Sequence, residues 1–429
     1  MEPTGINLDF VLSKKRSHME KMLSSSLFEK KQLEYSTYEN ATVLPLKKTK
    51  GNHTKYGAGG VVSDGKFVEI SGIEVRYGGI YPYDNPEYKD YDAVYCGAYH
   101  DQWGHFLLES CSRLWFFLED STFRKYIFIV EENSDIKLEG NYREFFQLLG
   151  LEKQIEFVNR PTVYRSLVVP ELGYSRRHYY SQQYKRIFEV AARNAELHIR
   201  DFEDLGDKVY LSRSQFKKAR LTENGLDMLD DYFSRNGFQI LFPEKTSLSE
   251  VIVRLRSSRL CAAESGSLPH NFLFCKEGQH VVIIERHASI NEMQLDVDVI
   301  MNLCVTYIDA HFTIYPTNAG FGPYYLAFNS KFRDFSNQMG YSEPDKSFLT
   351  ASYYKKNLVR FLKTYSRVNG YGWGVEDWQI PYMDAYYESY QETYKTLGPW
   401  ISGANPLFLS DYLKYPGKLV RKLKRVFSH

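Results

Sequence analysis

Apolar positions along the chain keep two rhythms. Dense runs such as KYIFIV (125–130), HVVIIER (280–286) and NLCVTYID (302–309) read as buried strands. Between them, apolar residues return every three or four positions, the helical repeat. In the first half, alternating segments between about 60 and 98 predict strands. Residues 103–119 predict one helix, with Leu107, Leu108, Cys111, Leu114 and Trp115 near helical spacing. KYIFIV, IEFVN (155–159) and SLVVPE (166–171) follow as strands, and REFFQLLGL (143–151) and 180–202 as helices.

The second half alternates more plainly. KVYLSRS (208–214), FQILFPE (238–244), RLCAAESGS (259–267), HVVIIER and NLCVTYID predict strands. A helix ending near Gly237, LSEVIVRLRSS (248–258) capped by Ser247 or Ser249, and PHNFLFCKEG (269–278) predict the helices between them. Two further helices are expected over 345–368 and 385–397. Strands alternating with helices imply parallel α/β sheets. The expected fold is therefore α/β, with two Rossmann-like domains facing across a cleft and a C-terminal helical extension. The expected division is a helical, polar lead over 1–50, a first Rossmann-like domain over 51–202 and a second over 203–315. A helical return over 316–409 and a basic amphipathic helix over 410–429 complete it.

Charge and composition narrow the partners. A net charge of +1 over 429 residues gives no global field for nucleic acid, so no such partner is expected. Five cysteines without a CxxC spacing point to reduced thiols and a cytoplasmic setting. The N-terminal stretch lacks the apolar run of a signal peptide, and no stretch of about 18 apolar residues predicts a membrane span. The last twenty residues differ, with six Lys/Arg against one Asp. Leu419, Val420, Leu423, Val426 and Phe427 fall on one helical face there. Such a helix suits an anionic leaflet, so peripheral attachment at the inner face of the cell membrane through 416–429 is one expectation and a solvated tail the other.

Candidate chemistry concentrates in YHDQWGHFLLESCSRLW (99–115). His105 and Glu109 are four apart and share a helical face. A carboxylate beside an imidazole orients it and favours its protonated form, and the pair can take a proton from an attacking hydroxyl. Gly104 lets a backbone approach closely. The bland alternative is a hydrogen-bonded core histidine with a solvated glutamate. His100, Asp101 and His105 could instead hold a metal, although their spacing is not HExxH. Asp90-Tyr91-Asp92 could meet a divalent ion on a nucleotide sugar, or simply be the solvated start of a strand.

Two loops at strand ends form the second candidate region. YLSRSQFKKAR (210–220) brings Arg213, Lys217, Lys218 and Arg220, and AESGSLPHN (263–271) brings Gly266 between two serines. Ser265 or Ser267 can cap the following helix, Pro269 suits its first turn, and the free N–H groups there can hold an anion. Together the loops make a diphosphate cradle. Separately they are an ordinary βα turn and a basic surface loop.

In their order, three stretches resemble the family 61 glycosyltransferases, including the bacterial capsular-polysaccharide branch. They are 99–115, KVYLSRSQFKKARLTENGLDMLDDYFSRNGFQILFPEKTSLSEVIVRLRSS (208–258) and LCAAESGSLPHNFLFCKEGQHVVIIE (260–285). The resemblance covers roughly 60–310. It implies a GT-B-like arrangement, with inverting transfer of a sugar from a nucleotide sugar, UDP-linked as the first expectation, and no obligatory metal or other cofactor. It points to a glycan or lipid-linked glycan acceptor, as in capsule or surface-polysaccharide synthesis. His105 and Glu109 become the expected catalytic face with Asp101 beside them, and His100 and Trp103 line the acceptor cleft. Arg213, Arg220, Ser265, Gly266, Ser267 and Asn271 become donor contacts, and Glu285 the partner of the nucleotide ribose. The chain departs from the family pattern where Ser265-Gly266-Ser267 replaces His-Gly-Ala, where His270 replaces a small residue, and where Glu223-Asn224 reverses the usual order. Two other readings stand beside this one. One is a non-catalytic glycan- or nucleotide-binding protein on the same fold, and the other is a metal-dependent hydrolase built on His100, Asp101 and His105.

Overall fold

Apolar strands flanked by helices on both faces assemble the larger parallel sheet. In the computed structural model, the described residues are 5–25, 27–47, 57–72, 77–120, 122, 125–199, 206–369 and 377–401. The six strands run in the order Gln239–Leu241, Lys208–Leu211, Leu260–Glu264, His280–Glu285, Cys304–Asp309, Ile6–Phe10. Every neighbouring pair is parallel. Val281 to Ile284 are buried without alternation, as a strand covered on both faces requires. The helices Leu226–Arg235, Leu248–Ser257 and Glu292–Ile300 lie among the connections. Ser247 caps the second of these by accepting from the Glu250 N–H, as its sequence position suggests.

The outermost strand, Ile6–Phe10, comes from the stretch expected to be a helical lead. Only Leu8 and Phe10 are fully buried there, too short a signal for any periodicity to show. The helix Ser13–Ser24 follows and sends Lys15 into the sheet's carboxyl edge. The late helix Met383–Ile401 packs beside it, and Glu388 accepts hydrogen bonds from the Ser13 and Lys14 N–H groups.

The other sheet has seven strands in the order Lys66–Phe67, Ala58–Ser63, Tyr35–Lys47, Thr162–Pro170, Glu87–Ala98, Lys125–Ile129, Ile155–Val158. Its last four strands are mutually parallel. Tyr35–Lys47 runs antiparallel to both of its neighbours. The sheet is therefore mixed rather than wholly parallel, and its third strand, Tyr35–Lys47, lies inside the expected 1–50 lead. The helix Gln182–His198 buries Tyr184, Ile187, Phe188, Ala191, Ala192 and Ala195. One apolar core joins it to residues of both sheets, including Phe128 and Val168 of the first and Val281 and Val305 of the second. Among the described residues no helix is long and apolar enough to cross a membrane. The basic segment 410–429 lies outside the described residues.

Candidate active site

The chain reverses its winding at Lys208–Leu211, whose neighbours are Gln239–Leu241 on one side and Leu260–Glu264 on the other. In open α/β sheets the crevice beyond the carboxyl ends of such strands receives ligands. Here those ends are Ser212-Arg213 and Ser265-Gly266. The Arg213 backbone N–H donates to Glu264 Oε1 at 3.1 Å, and Tyr210 Oη donates to Glu264 Oε2 at 2.9 Å. Arg213 Nη1 lies 3.1 Å from Glu223 Oε1, and Arg286 Nη1 lies 3.0 Å from the same oxygen. Burial, reinforced by Glu223, pushes the Glu264 carboxyl up to about 8. Two guanidinium groups thus converge on Glu223, beside a carboxyl whose ionisation burial disfavours. Glu223 Oε2 and Arg286 Nε are buried without a partner among the described residues. Native interiors pair such atoms, so their clustering beside a crevice marks a place for a polar ligand.

Gly266 belongs to this cradle for steric reasons. Its φ is +128°, and a Cβ there would stand 2.6 Å from Arg286 Nη2. The Arg286 guanidinium in turn sits 4.1 Å from the Tyr324 ring centroid, a cation–π contact that fixes it. Arg286, Glu223 and Glu264 were not expected from the sequence. The signal available was positional: Arg286 directly follows an apolar strand, and Glu223-Asn224-Gly225 departs from the resembled pattern. Asn224 Nδ2 donates to the Tyr324 carbonyl at 3.0 Å, and a Cβ on Gly225 would collide with the Leu326 carbonyl. That close approach seats Glu223 between the two arginines.

The expected helix 103–119 is two pieces. An α-helix covers Trp103–Leu108, and a 3-10 segment covers Ser110–Leu118. Ser110 Oγ donates to the Ala98 carbonyl and Ser112 Oγ to the Tyr174 carbonyl, tying this stretch to neighbouring backbone. The i, i+4 relation survives the change, because the Glu109 N–H still donates to the His105 carbonyl at 2.7 Å. His105 Nδ1 lies 3.1 Å from Glu109 Oε2, and His100 Nε2 lies 3.4 Å from the same oxygen. The three side chains are 21 %, 14 % and 10 % exposed for His105, His100 and Glu109, so the carboxylate is nearly enclosed between two imidazoles. This arrangement can orient an imidazole and accept a proton. Asp101 is exposed, and its carbonyl accepts from Tyr142 Oη at 2.6 Å.

The two regions meet directly. Trp103 Nε1 donates to Asn271 Oδ1 at 2.9 Å. A Cβ on Gly104 would overlap the His270 imidazole and lie 3.1 Å from Ser267 Oγ. Gly104 therefore allows close approach, and what approaches is the loop of the other sheet.

Residues 103–282 match the family model Glycosyltransferase 61. The comparison with curated proteins found no match. The glycosyltransferase 61 segment opens at Trp103, the first residue of the short helix, and ends inside the strand His280–Glu285. It contains His105, Glu109, Arg213, Glu223, Gly266, His270 and Asn271, and Arg286 falls just beyond it.

The other expected site residues are placed as follows. Ser265 is buried beside Glu285. Glu285 is 1 % exposed, and Lys15 Nζ holds it at 2.7 Å while also holding Asp309 at 3.0 Å. Its carboxylate is thus engaged inside the fold. Arg220 lies in the short helix Lys217–Thr222, and its side chain is outside the described residues, as is that of Lys218. Asp90 and Asp92 pair with Arg165 on the exposed face of their strand, at 3.3 and 2.7 Å. Pro269–Phe274 is a 3-10 turn of six residues, so the expected helix N-terminus does not form. Asn271 is the cause: both its backbone N–H and its side-chain Nδ2 bond the Leu268 carbonyl, closing an i, i+3 turn. Among the described residues, no group of three or more His, Cys, Asp or Glu is arranged to hold a metal ion.

Proposed function

We propose that this protein is an inverting glycosyltransferase of GT-B arrangement that moves a sugar from a nucleotide sugar to a glycan hydroxyl. The observation that carries the reading is the meeting of a proton-accepting pair, His105–Glu109, with an arginine-bearing crevice at the sheet's winding reversal, inside a segment matching the glycosyltransferase 61 family. The nucleotide diphosphate lies against Arg213, Arg286 and the Gly266 loop. The acceptor hydroxyl lies beside Glu109. Its oxygen attacks the anomeric carbon as the bond to the phosphate oxygen breaks, and the His105–Glu109 pair takes the hydroxyl proton. The arginines stabilise the charge that grows on the departing diphosphate, a role a divalent ion would otherwise fill. No metal is needed in this scheme. The donor is a UDP-sugar, and the acceptor is a surface or capsular glycan, lipid-linked at a membrane that residues 416–429 touch.

Thermal shift of the purified protein with UDP, GDP, CMP and their sugar conjugates, with and without EDTA, tests the reading. The expected result is stabilisation by one nucleotide class, insensitive to EDTA and lost in Arg213→Ala. No stabilisation by any nucleotide would sink it, and binding without turnover would leave a nucleotide-binding protein. Loss of shift in EDTA would overturn the metal-free scheme.

A further inference from the structure

His270 stands where the two regions of the site press together. It is 4 % exposed; the Gly104 backbone meets one side of its ring as a hydrogen-bond partner, and the other ring nitrogen is buried without one among the described residues. Its backbone is held firmly, because Asn271 bonds both Trp103 and the Leu268 carbonyl. The ring packs on the backbone of Gly104, and His105 and Glu109 are its nearest charge-bearing neighbours. Leaving a nitrogen of a buried imidazole unpaired is costly, and interiors rarely do so without a ligand to complete it.

The protonation state narrows that ligand. Burial, and then His105, hold the His270 pKa down at about 3, against the pull of Glu109 and the Gly104 backbone. The ring is therefore neutral, with one N–H donor and one bare nitrogen acceptor. A phosphate oxygen can only accept, so it leaves the bare nitrogen unsatisfied. With the Gly104 backbone taking the N–H, that bare nitrogen needs a donor, and a hydroxyl can supply one. In the proposed mechanism, the transferred sugar lies between the leaving diphosphate at Gly266 and the proton acceptor at Glu109. His270 belongs to the loop that begins at Gly266, and its ring stands against Gly104, the residue before His105.

We infer that His270 is a specificity-determining residue that hydrogen-bonds a hydroxyl of the transferred sugar. The inference rests on the transferase reading. The test compares wild type and His270→Ala by calorimetry, with UDP and GDP alone and with UDP-glucose, UDP-galactose, UDP-N-acetylglucosamine and GDP-mannose. Diphosphate affinity should stay within about twofold, which also shows that the variant folds. The extra affinity given by the sugar should fall about tenfold. An unchanged ratio between conjugate and diphosphate overturns the inference while leaving the transferase reading intact. Wild type that binds no nucleotide removes both. Should His270→Ala not fold, nitrogen-15 spectra of labelled wild-type histidines decide. His270 ring signals must move with a sugar conjugate and stay in place with the diphosphate alone, and the reverse pattern overturns the inference.

Discussion

Trp103 and Asn271 are 168 residues apart in sequence, yet the indole N–H of one donates to the amide oxygen of the other at 2.9 Å. This bond pins the start of the His105 helix to the Gly266–Asn271 loop. Trp103→Phe keeps an aromatic ring but removes the donor and part of the indole's packing on Phe106 and Tyr142. It should lower stability by about 1 kcal/mol in urea unfolding. Turnover should fall by about tenfold, because the two halves of the site lose their register. Normal turnover in a destabilised variant would show that the bond serves the fold alone.

Gly104 should not tolerate a side chain while His270 is present. Gly104→Ala would push a methyl into the imidazole and cost about 1–3 kcal/mol. Adding His270→Ala makes room, so the double variant should be more stable than Gly104→Ala alone. A double-mutant cycle by chemical denaturation reads this coupling directly. Additive losses would mean that the contact is not where the strain arises.

Glu109 is the nearly enclosed carboxylate between His100 and His105. Glu109→Gln removes its charge with little change of shape. Once a donor and an acceptor are in hand, turnover should drop by about a hundredfold or more, with donor affinity unchanged. A near-normal rate would move the proton-accepting role elsewhere.

Glu264 gives a pH signature to the ligand-free protein. Its folded carboxyl titrates at about 8, against an ordinary value of 4.5. Between those values the folded state keeps a proton that the unfolded state releases. Its contribution to stability is thus full below pH 4.5 and is lost as pH rises through 8. Glu264→Gln keeps an acceptor for the Arg213 N–H and can donate to the Tyr210 hydroxyl, but it cannot titrate. Relative to wild type, it should gain stability from pH 5 to pH 8, measured as urea midpoints at both values. An equal difference at the two pH values would show that Glu264 is already ionised at pH 5.

Much of the architecture was legible because burial on both faces leaves an unmixed apolar run. LCAAE and HVVIIE could hardly be anything but interior strands. The His105–Glu109 pair was legible for a similar reason, since four residues make one helical turn and one turn makes a contact. Contacts of that kind are local, and local geometry is written in spacing.

What the tertiary structure decided is non-local. Nothing near Lys15 shows that it will be buried between Glu285 and Asp309, the first of them 270 residues away, and so occupy the carboxylate expected to meet a ribose. INLDF carries no mark of its pairing with Cys304–Asp309. Glu223 gains its place between Arg213 and Arg286 only because Gly225 lets the chain pass the Leu326 carbonyl. His270 read as a departure from a pattern, and packing alone set its ring against Gly104. The sequence by itself determined the doubly buried strands, most of the helices between them and which side chains sit one turn apart, but not that Ile6–Phe10 and Tyr35–Lys47 are strands. Pairing between distant segments depends on the closure of long loops and on the shapes that meet across them, and no periodicity within one segment encodes either.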